Sequence, residues 1–196
     1  MDRTTRPLVV VAAFASSLVV ALVVVLWLLG GLRGVTAPAA IGGPFQLTDQ
    51  AGQAVTEQSL QGRPTLIFFG FTHCPDICPT SLFEISEVLK AMGKDADRVN
   101  AWFVSVDPER DTSAAMKDYL SSFDPHLKGL TGDSDAVAKV ISGFRVYAKK
   151  VPLKDGDYTM DHTALIYLMD RDGKFVAPFN LKRTPEAAAA DLKRYL

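Results

Sequence analysis

"PTLIFFGFTHCPDICPTSL", residues 64–82, passes from a strand to a helix through a loop that carries both cysteines of a 196-residue chain. The apolar run that ends at Phe69 is bounded by Pro64 and Gly70, the pattern of a central strand covered on both faces. After the loop, Leu82, Ile85, Leu89 and Met92 recur at helical spacing, and Gly93 ends the pattern. Cys74 and Cys78 are each followed by proline. Proline disfavours helical backbone at the residue before it. Both cysteines are therefore expected outside the helix, with Cys78 at or near its N-cap and Pro79 in its first position. Pro75 and Asp76 suit the middle of a tight turn that aims both sulfurs at one point. The adjacent helix N-terminus is expected to lower both thiol pKa values.

Outward from this stretch, "VNAWFVSV" (99–106) reads as a second buried strand and "PFQLTDQAGQAV" (44–55) as a hairpin turning at Asp49–Gly52. "TSAAMKDYLSSF" (112–123) and "DSDAVAKVISGF" (133–144) are helical, with Thr112 and either Asp133 or Ser134 as caps. "TALIYLMD" and "KFVAPFN" flank Arg171-Asp172-Gly173 as a second hairpin, and "TPEAAAADLKRYL" closes the chain as a helix with Thr184 as cap and Pro185 at its first position. Strands alternating with helices imply an α/β domain with a mixed central sheet and helices on both faces. In such sheets sites lie beyond the C-terminal ends of the strands. The cysteine loop follows the first central strand there, and "DPERD" (107–111) follows the second.

The chain begins differently. "LVVVAAFASSLVVALVVVLWLL", residues 8–29, is broken only by Ser16 and Ser17 and has no polar face. About 20 such residues span a bilayer as a helix, so 8–29 is expected to be an uncleaved anchor. Arg3 and Arg6 precede it and Arg33 follows, which leaves residues 1–7 in the cytoplasm. Residues 30–44, rich in Gly, Ala and Pro, read as a linker to a folded domain at 45–196. Net charge is −1 overall; setting aside Asp2, Arg3, Arg6 and Arg33 leaves −3 for the domain, a balance that argues against a nucleic-acid partner.

The cysteine spacing alone leaves two chemistries open. A disulfide closing so small a loop would restrain the unfolded chain little, which disfavours a purely structural bridge. Thioredoxin-like redox pairs use Cys-x-x-Cys, one residue shorter than this loop. A structural zinc site wants four ligands, whereas copper(I) accepts fewer and softer ones. The expected third ligand is His162 of "MDHTALIYL", immediately before a strand whose entry faces the cysteine loop in a thioredoxin-like arrangement. His73 adjoins Cys74 and points the other way in extended chain. His126 in "FDPHLKG" reads as an exposed loop residue. Asp76 and Asp161 are expected as acceptors that orient His162 or tune the sulfurs, with turn chemistry and capping as their alternative roles. Asp107 is expected to line the same face, Arg110 and Asp111 to organise their loop by pairing and capping, and Met160 to serve loop or core.

"FFGFTHCPDICPTSL", "FVSVDPERDT" and "MDHTALIYLMD", in that order behind an apolar N-terminus, resemble the Sco/SenC family, the membrane-anchored copper chaperones of cytochrome c oxidase assembly. The resemblance covers about residues 43–196 and implies a thioredoxin-like fold that holds one copper ion through Cys74, Cys78 and His162. It implies delivery of copper to, or reduction of, the dinuclear copper centre of oxidase subunit II. The implied partners are that subunit, a copper-donor chaperone and a thiol reductant. The same two cysteines would form a redox-active disulfide, so the alternative is a thiol–disulfide reductase with Cys74 or Cys78 as attacking thiolate; otherwise the protein is not expected to be an enzyme. The short N-terminus does not look like a mitochondrial presequence, which points to a single-pass protein of a bacterial inner membrane with its domain in the periplasm.

Overall fold

The computed structural model describes residues 5–31, 40–154 and 156–196, in two compact units, Met1–Ala39 and Ala40–Leu196. The first contains helix α1 (Thr5–Gly31), whose side chains are described over residues 13–27 and are all exposed. Among the described residues no helix is long and apolar enough to cross a membrane. Residues 1–4 and the 32–39 part of the expected linker lie outside the described residues.

The second unit is built on a seven-stranded mixed sheet. Its elements are β1 (Gln46–Asp49), β2 (Ala54–Thr56), β3 (Thr65–Gly70), α2 (Ile77–Met92), β4 (Asn100–Ser105), α3 (Ser113–Leu120), β5 (Leu127–Thr131), α4 (Ser134–Gly143), β6 (Ala148–Pro152), β7 (Tyr158–His162), β8 (Ile166–Met169), β9 (Phe175–Pro178) and α5 (Pro185–Lys193). The sheet order is β2-β1-β5-β4-β3-β8-β9, with β6 and β7 forming a separate two-stranded sheet. Strands β3, β4 and β5 run parallel, with Phe68 opposite Phe103; β8 and β1 add antiparallel on either side. Every residue of β3 and β8 is buried, as their continuous apolar runs require of strands covered on both faces. Helix α2 turns Leu82, Ile85, Leu89 and Met92 inward and ends at Gly93, whose φ of 60° favours glycine. Thr112, Asp133 and Thr184 cap the helices that follow them, each accepting a backbone N–H of the first turn.

Three features differ from the sequence expectation. Strand β5, buried at four of its five positions, has no clear sequence signature because Lys128 and Gly129 interrupt its apolar character. The β6–β7 hairpin has none because "AKKVP" and "YTMDH" carry no apolar alternation, their strands lying outside the central sheet. Consequently His162 does not stand immediately before the strand of "TALIYLMD"; it ends β7, and β8 begins only at Ile166.

One close approach joins fold to site. A Cβ at Gly70, the last residue of β3, would lie 2.6 Å from the Phe103 ring and 2.7 Å from the Cys78 sulfur. Neither neighbour has room to retreat, since both are fully buried. Gly70→Ala should therefore cost about 1–3 kcal/mol of stability through overpacking. Chemical denaturation of the full chain in detergent, compared with wild type, checks this; an unchanged midpoint would contradict it.

Candidate metal centre

The site is assembled at the C-terminal end of β3. From Gly70 the chain passes through Phe71–Cys74, turns, and enters α2 at Ile77, so Cys78 lies inside the first turn rather than before it. The proline rule did not prevent this. The first four N–H groups of a helix have no intrahelical acceptor, so Pro79 loses no bond there, and its effect on Cys78 is only a preference. One of those orphan donors has found a sulfur instead: the Cys78 N–H donates to Cys74 Sγ at 3.4 Å.

His162 arrives from β7. Its Nε2 lies 3.6 Å from Cys78 Sγ, and the two sulfurs and an imidazole nitrogen all lie within 4.8 Å of one another. Nδ1 is 3.1 Å from the Thr163 carbonyl. A carbonyl only accepts, so Nδ1 carries the proton and Nε2 presents its lone pair toward the sulfurs. The ring is held edge-on by Phe71 at 5.7 Å and Phe68 at 6.3 Å. Both cysteines are free thiols, Cys78 fully buried and Cys74 half-buried at the mouth of an open cleft. Among the described residues this is the one grouping of three or more side chains able to hold a metal ion.

Burial, not the helix end, governs the Cys78 thiol. Desolvation pushes it well above the ordinary thiol range, and the neighbouring Cys74 adds to the shift, against a smaller opposing hydrogen bond with the Phe71 backbone. The expectation of a lowered value fails at this residue, because a helix N-terminus contributes a fraction of what removing a thiolate from water costs.

The supporting residues are placed differently from the expectation as well. The group facing His162 Nδ1 is the Thr163 carbonyl, not the Asp161 carboxylate. Asp161 and Asp76 are exposed at the rim of the cleft, and Asp76 occupies the N-cap of α2 without a side-chain capping bond. His73 is exposed and contacts the Thr72 hydroxyl. His126 bridges Asp124 and Asp97 at the far end of the parallel strands. Met160 packs partly buried against the core.

Asp107, expected to line the same face, and Asp111, expected to organise its loop, form a buried platform beneath the site. Asp111 accepts the Thr72 hydroxyl and the Ser105 hydroxyl, both at 2.7 Å, as well as the Thr72 N–H, and so ties the cysteine loop to the end of β4. Burial raises its pKa against those hydrogen bonds. Asp107 pairs with Arg110 Nε at 2.5 Å and accepts the Tyr158 hydroxyl at 2.9 Å. Desolvation first, then the Asp107 carboxylate, pushes Tyr158 up to about 12, so its hydroxyl remains a donor at neutral pH. Tyr158 gave no signal in the sequence; only the packing of β7 on "DPERD" reveals it.

A mixed sheet flanked by helices, with two sulfurs and an imidazole gathered beyond the end of a central strand, defines a thioredoxin-like domain carrying a Cys₂His cluster. The sequence profile of the SCO1/SenC family matches residues 33–196, and the chain belongs to that family. A SCO2-like protein of Rickettsia conorii is 40% identical over 148 residues, covering 74% of this chain and 72% of its own length. The structure of copper-bound ScoI from Bradyrhizobium japonicum is 82% identical, with a TM-score of 0.79, over 80% of this chain and 100% of that one. BsSco, a member of the Sco family of cytochrome c oxidase assembly proteins in which a disulfide switch was identified, superposes with a TM-score of 0.64 at 26% identity, over 80% of this chain and 93% of its own.

The burial difference between the two thiols sets their reactivity. At pH 7, iodoacetamide should label Cys74 in a Cys78→Ser chain at least about tenfold faster than Cys78 in a Cys74→Ser chain. Mass spectrometry of timed aliquots reads both rates; equal rates at pH 7 would overturn the assignment of Cys78 as the protected thiol.

Proposed function

We propose that this chain is a membrane-anchored copper chaperone, binding one copper ion through Cys74, Cys78 and His162 and passing it to the dinuclear copper centre of cytochrome c oxidase subunit II. The observation that carries this is the convergence of two sulfurs and an imidazole lone pair within 4.8 Å. Two soft sulfurs and one nitrogen suit Cu(I) in a three-coordinate site, one ligand short of what structural zinc prefers. The half-buried Cys74 at the open cleft gives an incoming ligand a place to begin replacing bonds. The copper-bound state of the 82% identical ScoI supports the same cargo.

The rest of the reading follows from the family and the N-terminus. Residues 8–29 form a single-pass anchor in a bacterial inner membrane, residues 1–7 stay in the cytoplasm, and the domain works in the periplasm; the apolar run of the sequence and the arginines at 3 and 6 support this. A copper-donor chaperone fills the site, and a thiol reductant keeps it open, because a Cys74–Cys78 disulfide would remove both sulfur ligands.

One observation favours a second role for the same cysteines, that of a thiol–disulfide reductase. Cys74 is accessible and Cys78 is buried behind it. In that role the Cys74 thiolate attacks a target disulfide and expels one target thiolate, giving a mixed disulfide. Cys78, losing its proton, then attacks Cys74 Sγ, which releases the second target thiolate and leaves a Cys74–Cys78 disulfide for the external reductant.

His162 separates the two. With the reduced full chain in detergent, competitive Cu(I) titration should give one copper per chain, and Cys74→Ser, Cys78→Ser and His162→Ala should each weaken binding by more than about tenfold, the lower end of what the loss of even an indirect support costs. Binding displaces thiol protons, so apparent affinity should rise with pH across 6–8. Wild-type affinity in His162→Ala would remove the third ligand and leave the reductase reading.

A further inference from the structure

The β6–β7 hairpin that carries His162 pairs with no strand of the central sheet. Backbone hydrogen bonds of the sheet therefore do not fix the distance between its end and the cysteine loop. Something else must, since ligand geometry tolerates little slack. The hairpin is held by side chains of "DPERD", and they converge on one residue, Tyr158.

Tyr158 and His162 are the first and last residues of β7, four positions apart and so on one face of the strand. The Tyr158 hydroxyl donates to Asp107 Oδ1 at 2.9 Å, and its carbonyl accepts Arg110 Nη1 at 3.0 Å. The Arg110 guanidinium carbon stacks 3.7 Å from the centre of the Tyr158 ring, and Lys150 Nζ lies 4.0 Å from it while pairing with Glu109 at 2.6 Å. Arg110 is anchored in turn by the buried Asp107. The same guanidinium lies 5.8 Å from the Phe71 ring, which meets the His162 imidazole edge-on. Arg110 thus reaches the histidine by two routes, along β7 through Tyr158 and across the core through Phe71.

We infer that Arg110 and Tyr158 are positioning residues for His162, forming a clasp that holds the imidazole at the sulfurs and so sets how tightly the cysteine pair retains copper. This rests on the ligand reading proposed above. With the clasp closed the site offers three ligands; with it open the two thiols remain as a bare dithiol. Loosening the clasp trades metal retention for dithiol chemistry without touching either cysteine.

The test is a double-mutant cycle on the full chain in detergent, read by competitive Cu(I) titration and, for the Cu(II)-loaded protein, by nitrogen hyperfine coupling in the electron paramagnetic resonance spectrum. Arg110→Gln and Tyr158→Leu should each lower copper affinity about 10–100-fold and weaken the imidazole coupling, the range found when groups that orient metal-bound histidines are lost. Tyr158→Phe, which deletes one oxygen and keeps the ring stack, should give a smaller loss. None should lower affinity further in a His162→Ala background, because the group they position is gone. Wild-type affinity in Arg110→Gln or Tyr158→Leu overturns the clasp, as does an equal loss with and without His162, which would mean a general effect on the fold. Full affinity in His162→Ala alone overturns the ligand reading itself, and the clasp's role with it.

Discussion

The contact between Cys78 Sγ and His162 Nε2 spans 84 residues of sequence, and the rest of the site is arranged around it. One side of the contact is immovable. The Cys78 sulfur is fully buried over the backbone of Gly70, where no side chain fits, in the first turn of a helix whose inner face is packed core. The other side rests on a hairpin outside the main sheet.

Burial has a chemical consequence as well as a steric one. A helix N-terminus favours a thiolate by about 0.3–1 kcal/mol, whereas each pKa unit lost to desolvation costs about 1.4 kcal/mol, and buried groups shift by several units. At Cys78 desolvation wins, and the metal-free site stays protonated there at neutral pH. A soft cation changes the balance, because the metal takes the proton's place and supplies the opposite charge that the interior lacks.

Two fully buried carboxylates lie close beneath so delicate a balance, and each is satisfied. Asp111 receives donors from Thr72 and Ser105; Asp107 receives them from Arg110, Tyr158 and, through its own N–H, bonds Ser105. An unpaired buried carboxylate would be strongly destabilising, so these networks persist only if the cysteine loop, the end of β4 and the hairpin keep their mutual places. The polar platform therefore acts as a geometric constraint on the three elements that meet at the cluster.

The central strands and the apolar face of α2 were legible because continuous and 3.6-residue apolar patterns are local properties of the chain. So was the cysteine loop at the end of β3, although Cys78 itself lies in the first turn of α2 rather than before it, and the helix caps at Thr112 and Thr184 follow from neighbours three residues away. Strand β5 and the β6–β7 hairpin were not, since their pairing depends on partners distant in sequence and their side chains lack a pattern of their own. His162 could be nominated from the chemistry that two sulfurs leave incomplete. Only the tertiary structure decided that its Nε2 faces them, that Thr163 rather than Asp161 meets Nδ1, that burial outweighs the helix end at Cys78, and that Asp107 and Arg110 hold the hairpin through Tyr158. Residue types and spacing carry the identity of reactive groups. Solvent exclusion and long-range side-chain contacts, which set their protonation and direction, exist only once the chain has closed on itself.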